Sequence, residues 1–412
     1  MRGNERFNVI GAYFSWLMDS YDLGVVIVTS GILGALFFPG LGILGAALPL
    51  VFTVVFRPLG GYLMGYLADL HGRKFAFLIT VLGYSLAIGL TAALPTYAQA
   101  GILAALALVG LRAAQGLFVG GDVSTSYTIA MESSRRRRGL LGGILQSGVL
   151  AGFVLSDLLL TLLAGNSAFL MSEGWRIMLL VGMVPAALAL PIRMLAVEPE
   201  IYVRSERGNP HRGLAPLAQT LVVMSGLWLA LYAGPTYMPT FLSTVLRMSP
   251  AEYGPLLLIM NAVGIPAMII AGLLSDFVGR RTIGILGSVA GTVAAASFYL
   301  FYWKYAILGL IAFGIMVNVS ASIVPAYLAE RFMTFSRATG IGTAYNGAFV
   351  VGGFSQVMVA AASGLIGPFA APALLFAVGS ALSLIGLSVG PETLRAGYLP
   401  AHGWTPVRSG RK

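Results

Sequence analysis

Residues 57–74 read RPLGGYLMGYLADLHGRK, the end of one apolar stretch, a turn of a few residues and the start of the next. Its latter part, Gly65-Tyr66-Leu67-Ala68-Asp69-Leu70-His71-Gly72-Arg73-Lys74, returns in the second half of the chain as Gly272-Leu273-Leu274-Ser275-Asp276-Phe277-Val278-Gly279-Arg280-Arg281. Both copies follow G-x-x-x-D-x-x-G-R-[KR], and each sits between two long hydrophobic runs. That arrangement describes a duplicated membrane protein.

Composition agrees. Of 412 residues 58% are hydrophobic and only 10% charged, whereas a soluble domain carries about 25% charged residues. Apolar segments of about 20 residues, each long enough to cross a bilayer core, recur from end to end. They are too long and continuous for barrel strands, and a spanning backbone must be satisfied internally, so the spans are expected to be helices. No cysteine is present, which excludes disulfides and thiolate metal sites. The run after Arg2 and Arg6 is too long for a signal peptide, lacks a small-residue cleavage site and holds two aspartates, so it reads as a mature helix. Arginine greatly outnumbers lysine, which suits a thermophile or a GC-rich genome equally.

Twelve spans are predicted, over 8–37, 43–68, 75–94, 98–130, 139–163, 175–196, 214–246, 252–274, 282–302, 305–328, 340–362 and 368–390. The longest polar stretch between spans, Glu198–Gly213, holds Pro199, Pro210 and several charges and reads as a linker. The expected division is a six-helix bundle over 1–197, the linker over 198–213, a second six-helix bundle over 214–394 and a tail over 395–412. Arg73, Lys74, Arg135–Arg138, Arg204, Arg207, Arg212, Arg280, Arg281, Arg331 and Arg337 all fall in even-numbered loops. The positive-inside rule then puts those loops and both termini in the cytoplasm, with the plasma membrane as the expected location. The net charge of +10 is accounted for by topology and needs no nucleic-acid partner.

The halves also match after their fourth spans, where Glu132…Arg138-Gly139 answers Glu330…Arg337-Ala338-Thr339-Gly340. Further motifs are Met18-Asp19-Ser20-Tyr21-Asp22-Leu23-Gly24-Val25, Arg57-Pro58-Leu59-Gly60-Gly61, Arg112-Ala113-Ala114-Gln115-Gly116 and Gly120-Gly121-Asp122. Tyr237-Met238-Pro239-Thr240-Phe241-Leu242, Glu330-Arg331-Phe332-Met333-Thr334, Tyr345-Asn346-Gly347 and Pro391-Glu392-Thr393 complete the series. In this order, over nearly the whole chain, they resemble the major facilitator superfamily and, within it, the metabolite:proton symporter family. The resemblance implies an all-α membrane fold of two parallel six-helix repeats with a substrate path between them. Ser20 stands where the family usually has Trp, Asp122 where it usually has Glu, and Ala348 where an Arg often stands. No long coiled coil follows the last span, so osmosensing is not expected. Span five lacks a proline after Gly152, unlike antiporter relatives, which points to symport.

An ionisable side chain at membrane depth costs several kcal/mol unless paired or wet. The first half carries Asp19, Asp22, Arg57, Arg112, Asp122 and Asp157 inside its spans, while the second half has only neutral polar groups at depth. Asp19 and Asp22, three residues apart, share one helix face. Arg112 lies about 14 residues, or about 21 Å, into span four. In the sugar-porter branch a Tyr-Asp on the first helix and the arginine opening the span-four motif form a proton-coupling pair. The resemblance places Tyr21-Asp22 and Arg112 there, with Asp19 next in line. Desolvation and a neighbouring guanidinium pull a carboxylate's proton affinity in opposite directions, so a substrate competing for the arginine would change it. A fixed structural ion pair is the competing reading.

Arg57 has two open readings, a contact for an anionic substrate or a structural partner of a first-helix aspartate. Substrate-binding candidates are Arg57, Arg112, Tyr237, Asn261, Asn318 and Gln356, with Tyr232 and Tyr327 as further possible cavity residues. The loop residues Gly65, Asp69, Gly72, Arg73, Asp276, Gly279 and Arg280, with Asp122, Glu132, Glu330 and Arg337, are expected to form a gate. Gly permits the turn, Asp can face a helix N-terminus, and Arg73 can reach Asp122 or Glu132. Gly116/Gly120 and Gly148/Gly152 read as helix packing, and the role of Asp157 stays open.

An enzyme is not expected: His71, His211 and His402 fall in loops or the tail, and Asp19 and Asp22 share one helix. No P-loop supports an ATP-driven pump, and no cofactor or metal site is expected. The expected partners are a small solute, protons and the bilayer, acting on a monomer. Two arginines at depth favour proton-coupled symport of a small organic anion. A sugar or a zwitterion such as proline or betaine is the alternative, and a channel ranks behind both.

Overall fold

The computed structural model describes residues 5–134, 137–163, 165, 169–182, 194–203, 208–301 and 306–394. In the first half the long helices are α1 (Glu5–Phe37), α2 (Gly42–His71), α3 (Arg73–Ala92), α4 (Ile102–Glu132) and α5 (Arg138–Leu163). In the second they are α6 (Leu217–Ala233), α7 (Pro250–Val278), α8 (Arg280–Phe301), α9 (Ala306–Met316), α10 (Val324–Arg331), α11 (Arg337–Ile366) and α12 (Ala370–Val389). No strand occurs among the described residues. Ten helices there are long and apolar enough to cross a membrane, or eleven with the bent α1. Half of the predicted sixth span, 183–193, and the expected tail over 395–412 lie outside the described residues. Leu86, Leu106, Phe277 and Leu308 stand on the outer surface, more than half exposed. An apolar rim of this kind is what lipid covers.

Two predicted spans are broken well inside their length. The seventh breaks after Ala233: Gly234 leaves helical geometry, and Pro235 opens a 3-10 turn that passes through Met238–Thr240 into a π turn at Phe241–Val245. Proline lacks the N–H that would continue the ladder and crowds the preceding turn. The Gly234 carbonyl accepts from the Tyr299 hydroxyl at 2.9 Å. The tenth span is likewise α9, a 3-10 turn at Ser320–Ile323, then α10 with Pro325 in its first turn. Irregular backbone at membrane depth is tolerated where it lines a cavity, and both breaks flank the one described below.

Small residues make the seams between the halves. α2 meets α11 where Gly61 faces Gly342 and Gly65 faces Ala338, and α5 meets α7 where Gly139 and Gly143 face Gly272. A Cβ at any of these glycines would strike backbone of the opposite helix, so the helices approach as closely as their main chains allow.

Candidate functional site

The repeated loops form two clusters at the same end of the molecule, the end of the basic loops. In the first, Gly72 turns the chain at φ 112°, a conformation open to glycine without strain. Arg73 then points inward, fully buried. Its guanidinium donates to Asp69 at 2.6 Å, to Glu132 at 3.1 and 3.2 Å, and to the Thr334 carbonyl at 2.6 Å. Asp69 accepts from the backbone N–H groups of Ala338 and Thr339 at 3.2 and 2.8 Å, and from the Thr339 hydroxyl at 2.6 Å. These are first-turn donors of α11, so a carboxylate from the first half caps a helix of the second. Arg337 closes the cluster on Glu132 at 2.5 Å.

The second cluster repeats the plan. Gly279 has φ 115°. Arg280 donates to Asp276 at 2.8 Å and to Glu330 at 3.3 Å. Asp276 accepts from the N–H groups of Gly139 and Leu140, at the start of α5, at 2.8 and 2.9 Å. Each loop is also capped by a glutamate that sequence reasoning did not single out for this task. Glu198 accepts from the N–H groups of Arg73 and Lys74, and Glu392 from those of Arg280 and Arg281. The signal lay in Val197-Glu198-Pro199 and Pro391-Glu392-Thr393, each just after its half's last span.

All the predicted gate residues meet in these clusters except Asp122, which needs correction. Arg73 takes Glu132, and Asp122 lies deeper, accepting from Ser15 of α1 and from Ser126 at 3.0 Å. Asp122 is ten residues, or about 15 Å of helix, before Glu132.

The buried charges of the first half pair. Arg57 donates to Asp19 at 2.7 and 3.4 Å and lies 4.2 Å over the Phe349 ring. Asp22 is 3.5 Å from Arg112. Gln115, one turn beyond Arg112, bridges them, accepting from Arg112 at 2.8 Å and donating to Asp22. Arg112 Nε and Nη2 and Asp22 Oδ1 are buried without a hydrogen-bond partner, so this pair is held less fully than Asp19–Arg57. Asn346 of α11 accepts from Arg57 at 3.4 Å and donates to the Gly120 carbonyl at 2.9 Å. It thereby ties the pair to the α2–α11 seam.

A cavity of about 90 Å³ lies between the halves, above the two clusters. Asp19, Arg57 and Asp157 line it from the first half, Asn261 and Asn318 from the second. Of the binding candidates, then, Arg57, Asn261 and Asn318 reach it. Arg112 does not, being turned toward Asp22 inside the first half. Tyr237 does not either: the break at Gly234 carries it into the core with Phe241 and Met260, while Tyr232, before the break, lines the space. Gln356 stands seven residues, or about 10 Å, past the last lining residue of α11. Asp157, left open by the sequence, accepts from Asn261 at 3.0 Å across the halves.

The wall is aromatic, and of its rings sequence reasoning named only Tyr232 for the cavity. Trp16, Trp228, Tyr232, Tyr345 and Phe349 line the cavity in edge-to-face contact. Trp228 is 4.8 Å from Tyr345 and 4.7 Å from Phe349, and Trp16 is 5.6 Å from Tyr345. Trp228 Nε1 donates to the Tyr345 carbonyl at 3.1 Å, which fixes its ring. Aromatic residues are common in apolar helices, and spacing along one helix does not reveal a ring from another.

A duplicated helical bundle with an inner cavity, two gate-like clusters and buried ion pairs is a membrane carrier. Residues 7–356 match the model of the Major Facilitator Superfamily, and the chain belongs to that family as a secondary transporter. It is 30% identical to the glycine betaine/proline/ectoine/pipecolic acid transporter OusA of Dickeya dadantii, across 99% of this chain and 87% of that one. It is 29% identical to the proline/betaine transporter of Escherichia coli K12, with the same coverage. Among solved structures, the proton:xylose symporter XylE bound to 6-bromo-6-deoxy-D-glucose superposes with a TM-score of 0.81 at 17% identity. That match covers 94% of this chain and 96% of the other.

Proposed function

We propose that the chain is a proton-coupled symporter of a small zwitterion of the betaine or proline type, working by alternating access in a plasma membrane. The observation that carries this reading is the cavity's chemistry: an opposed charge pair, Asp19–Arg57, set into a wall of five aromatic rings. Aromatic faces attract a quaternary or secondary ammonium, and a guanidinium suits a carboxylate. A zwitterion offers both. The relatives named for proline and betaine support the same class. The organic anion favoured by the sequence rested on Arg57 and Arg112 at depth giving the cavity a net positive charge. Arg57 is paired with Asp19, Arg112 lies elsewhere with Asp22, and Asp157 adds an acid to the lining, so that premise is gone.

Asp22 with Arg112 is the proposed proton-coupling pair, supported by its depth, its isolation from the cavity and its incomplete hydrogen bonding. The two loop clusters are the proposed gate. With both latched, the described state is shut at the basic-loop end, which faces the cytoplasm in the orientation the loop charges favour. The test is uptake into proteoliposomes under an imposed pH gradient, with unlabelled competitors. Glycine betaine and proline should compete with labelled betaine, and xylose and succinate should not. Competition by sugars alone would reduce the aromatic wall to packing, and uptake indifferent to the pH gradient would remove the proton coupling.

A further inference from the structure

The cavity that takes the substrate does not reach Asp22. It is lined by Asp19 and Arg57 and ends there. Beyond it lies a second, much smaller space of about 10 Å³, lined by Asp19, Asp22, Arg57, Thr53, Val26 and Val119 among others. Both carboxylates therefore border one small space, and only Asp19 borders the substrate cavity as well. Asp22 is 4% exposed, and its Oδ1 has no hydrogen-bond partner. A single water needs roughly 10–15 Å³ and two to four polar partners. Two carboxylates and a guanidinium supply them.

We infer that this space is a one-water site through which Asp19 hands protons between the substrate cavity and Asp22. The inference rests on the proton-coupled reading above. In the inward transfer, protonated Asp19 breaks its O–H bond and gives the proton to the water oxygen. The water gives one of its own protons to Asp22 Oδ1. Asp19 is left as carboxylate, Asp22 as carboxylic acid, and the water is regenerated. Arg57 of α2 holds the Asp19 end, and Arg112 and Gln115 of α4 hold the other oxygen of Asp22. The remaining titratable groups within electrostatic reach are Asp122 of α4, Tyr127 of α4, Tyr232 of α6 and Tyr345 of α11 beside Asp19, and Tyr21 of α1 beside Asp22. Asp19 borders both spaces, so cargo and proton meet at one residue.

The test follows Asp22 directly. In the full-length protein in liposomes, the carboxyl C=O infrared band lost in Asp22→Asn is followed after a pH jump, with no substrate present. Val119→Leu adds a methylene to the small space from α4, and Val26→Ile adds a methyl from α1, both away from the charged groups. Either should slow the rise of the Asp22 band on the order of 100-fold, the lower end of what a positioned proton donor contributes, without moving its midpoint. Asp19→Asn should slow the rise likewise, and Asp19→Glu should restore part of the rate. An unchanged rate in the folded variants overturns the relay. If no band titrates with Asp22 in the native protein, the proton-coupled reading itself fails. Competition among solutes is measured separately, so an error in substrate class leaves this result standing.

Discussion

Asp69 of α2 accepts from the backbone N–H of Thr339 at 2.8 Å and from its hydroxyl at 2.6 Å, across 270 positions of sequence. A charge on one half is thus stored against the positive end of a helix on the other, and Asp276 with Gly139 and Leu140 repeats the arrangement. Separation of the halves at this end breaks both caps together.

Asp69→Asn should weaken the closed state by about 1–2 kcal/mol, the range for a partly buried charge at a helix terminus. That corresponds to roughly a 5- to 30-fold change in the closed-to-open ratio. The chain has no cysteine, so single cysteines placed behind the α2–α11 seam report opening by thiol labelling without background. Labelling should speed up and turnover should change while the order of competing solutes stays the same. An altered solute order would show that Asp69 shapes the cavity and does not serve as a latch.

Asp22→Asn should abolish accumulation driven by a pH gradient and leave counterflow exchange of labelled betaine within about threefold of native, since Asp22 does not line the substrate cavity. Exchange by the variant should also lose the pH dependence that the native protein shows. Uphill transport by the variant would move the coupling site elsewhere.

Trp228→Ala should weaken betaine binding roughly 2- to 30-fold, the equivalent of a cation–π contact of about 0.5–2 kcal/mol. The sharper comparison is with 3,3-dimethylbutanoate, which has betaine's shape without its positive charge. Native protein should prefer betaine, and the variant should lose most of that preference. Equal loss for both compounds would mean the indole supplies packing alone.

Arg57→Gln leaves Asp19 buried without its cation and should destabilise the protein by about 3–5 kcal/mol, whereas Asp19→Asn/Arg57→Gln should lose much less than the two single changes summed. Thermal unfolding in detergent of the four members of the cycle measures this. Additive losses would show that the two side chains act independently despite their 2.7 Å contact.

The helical class and the repeat were legible because they depend on local properties: apolar length, and a glycine-and-arginine turn that recurs. The Arg73 cluster was largely legible for the same reason, since Gly72, Asp69 and Arg73 are sequence neighbours that fold back on one another. What the sequence hid was pairing between distant helices. A first-helix aspartate was one of two readings open for Arg57, and the sequence alone did not choose between them; nothing along the chain says that Arg73 prefers Glu132 to Asp122, or that Trp228 and Phe349 close on Tyr345. Gln115 was within reach of inference, because a second polar group one turn from Arg112 shares its face. Tyr237 was lost to the break at Gly234, where Pro235 redirects everything after it.

Asn346 holds Arg57 with one end of its amide and the Gly120 carbonyl with the other. While the cavity is empty this tie keeps the guanidinium and the seam in register, and the basic-loop end stays latched. A cargo that pulls Arg57 toward its own carboxylate slackens the tie at the moment it arrives. Under the proposed coupling, a membrane studded with such carriers can hold a steep proton gradient through long periods of scarcity, because without a passenger there is no leak.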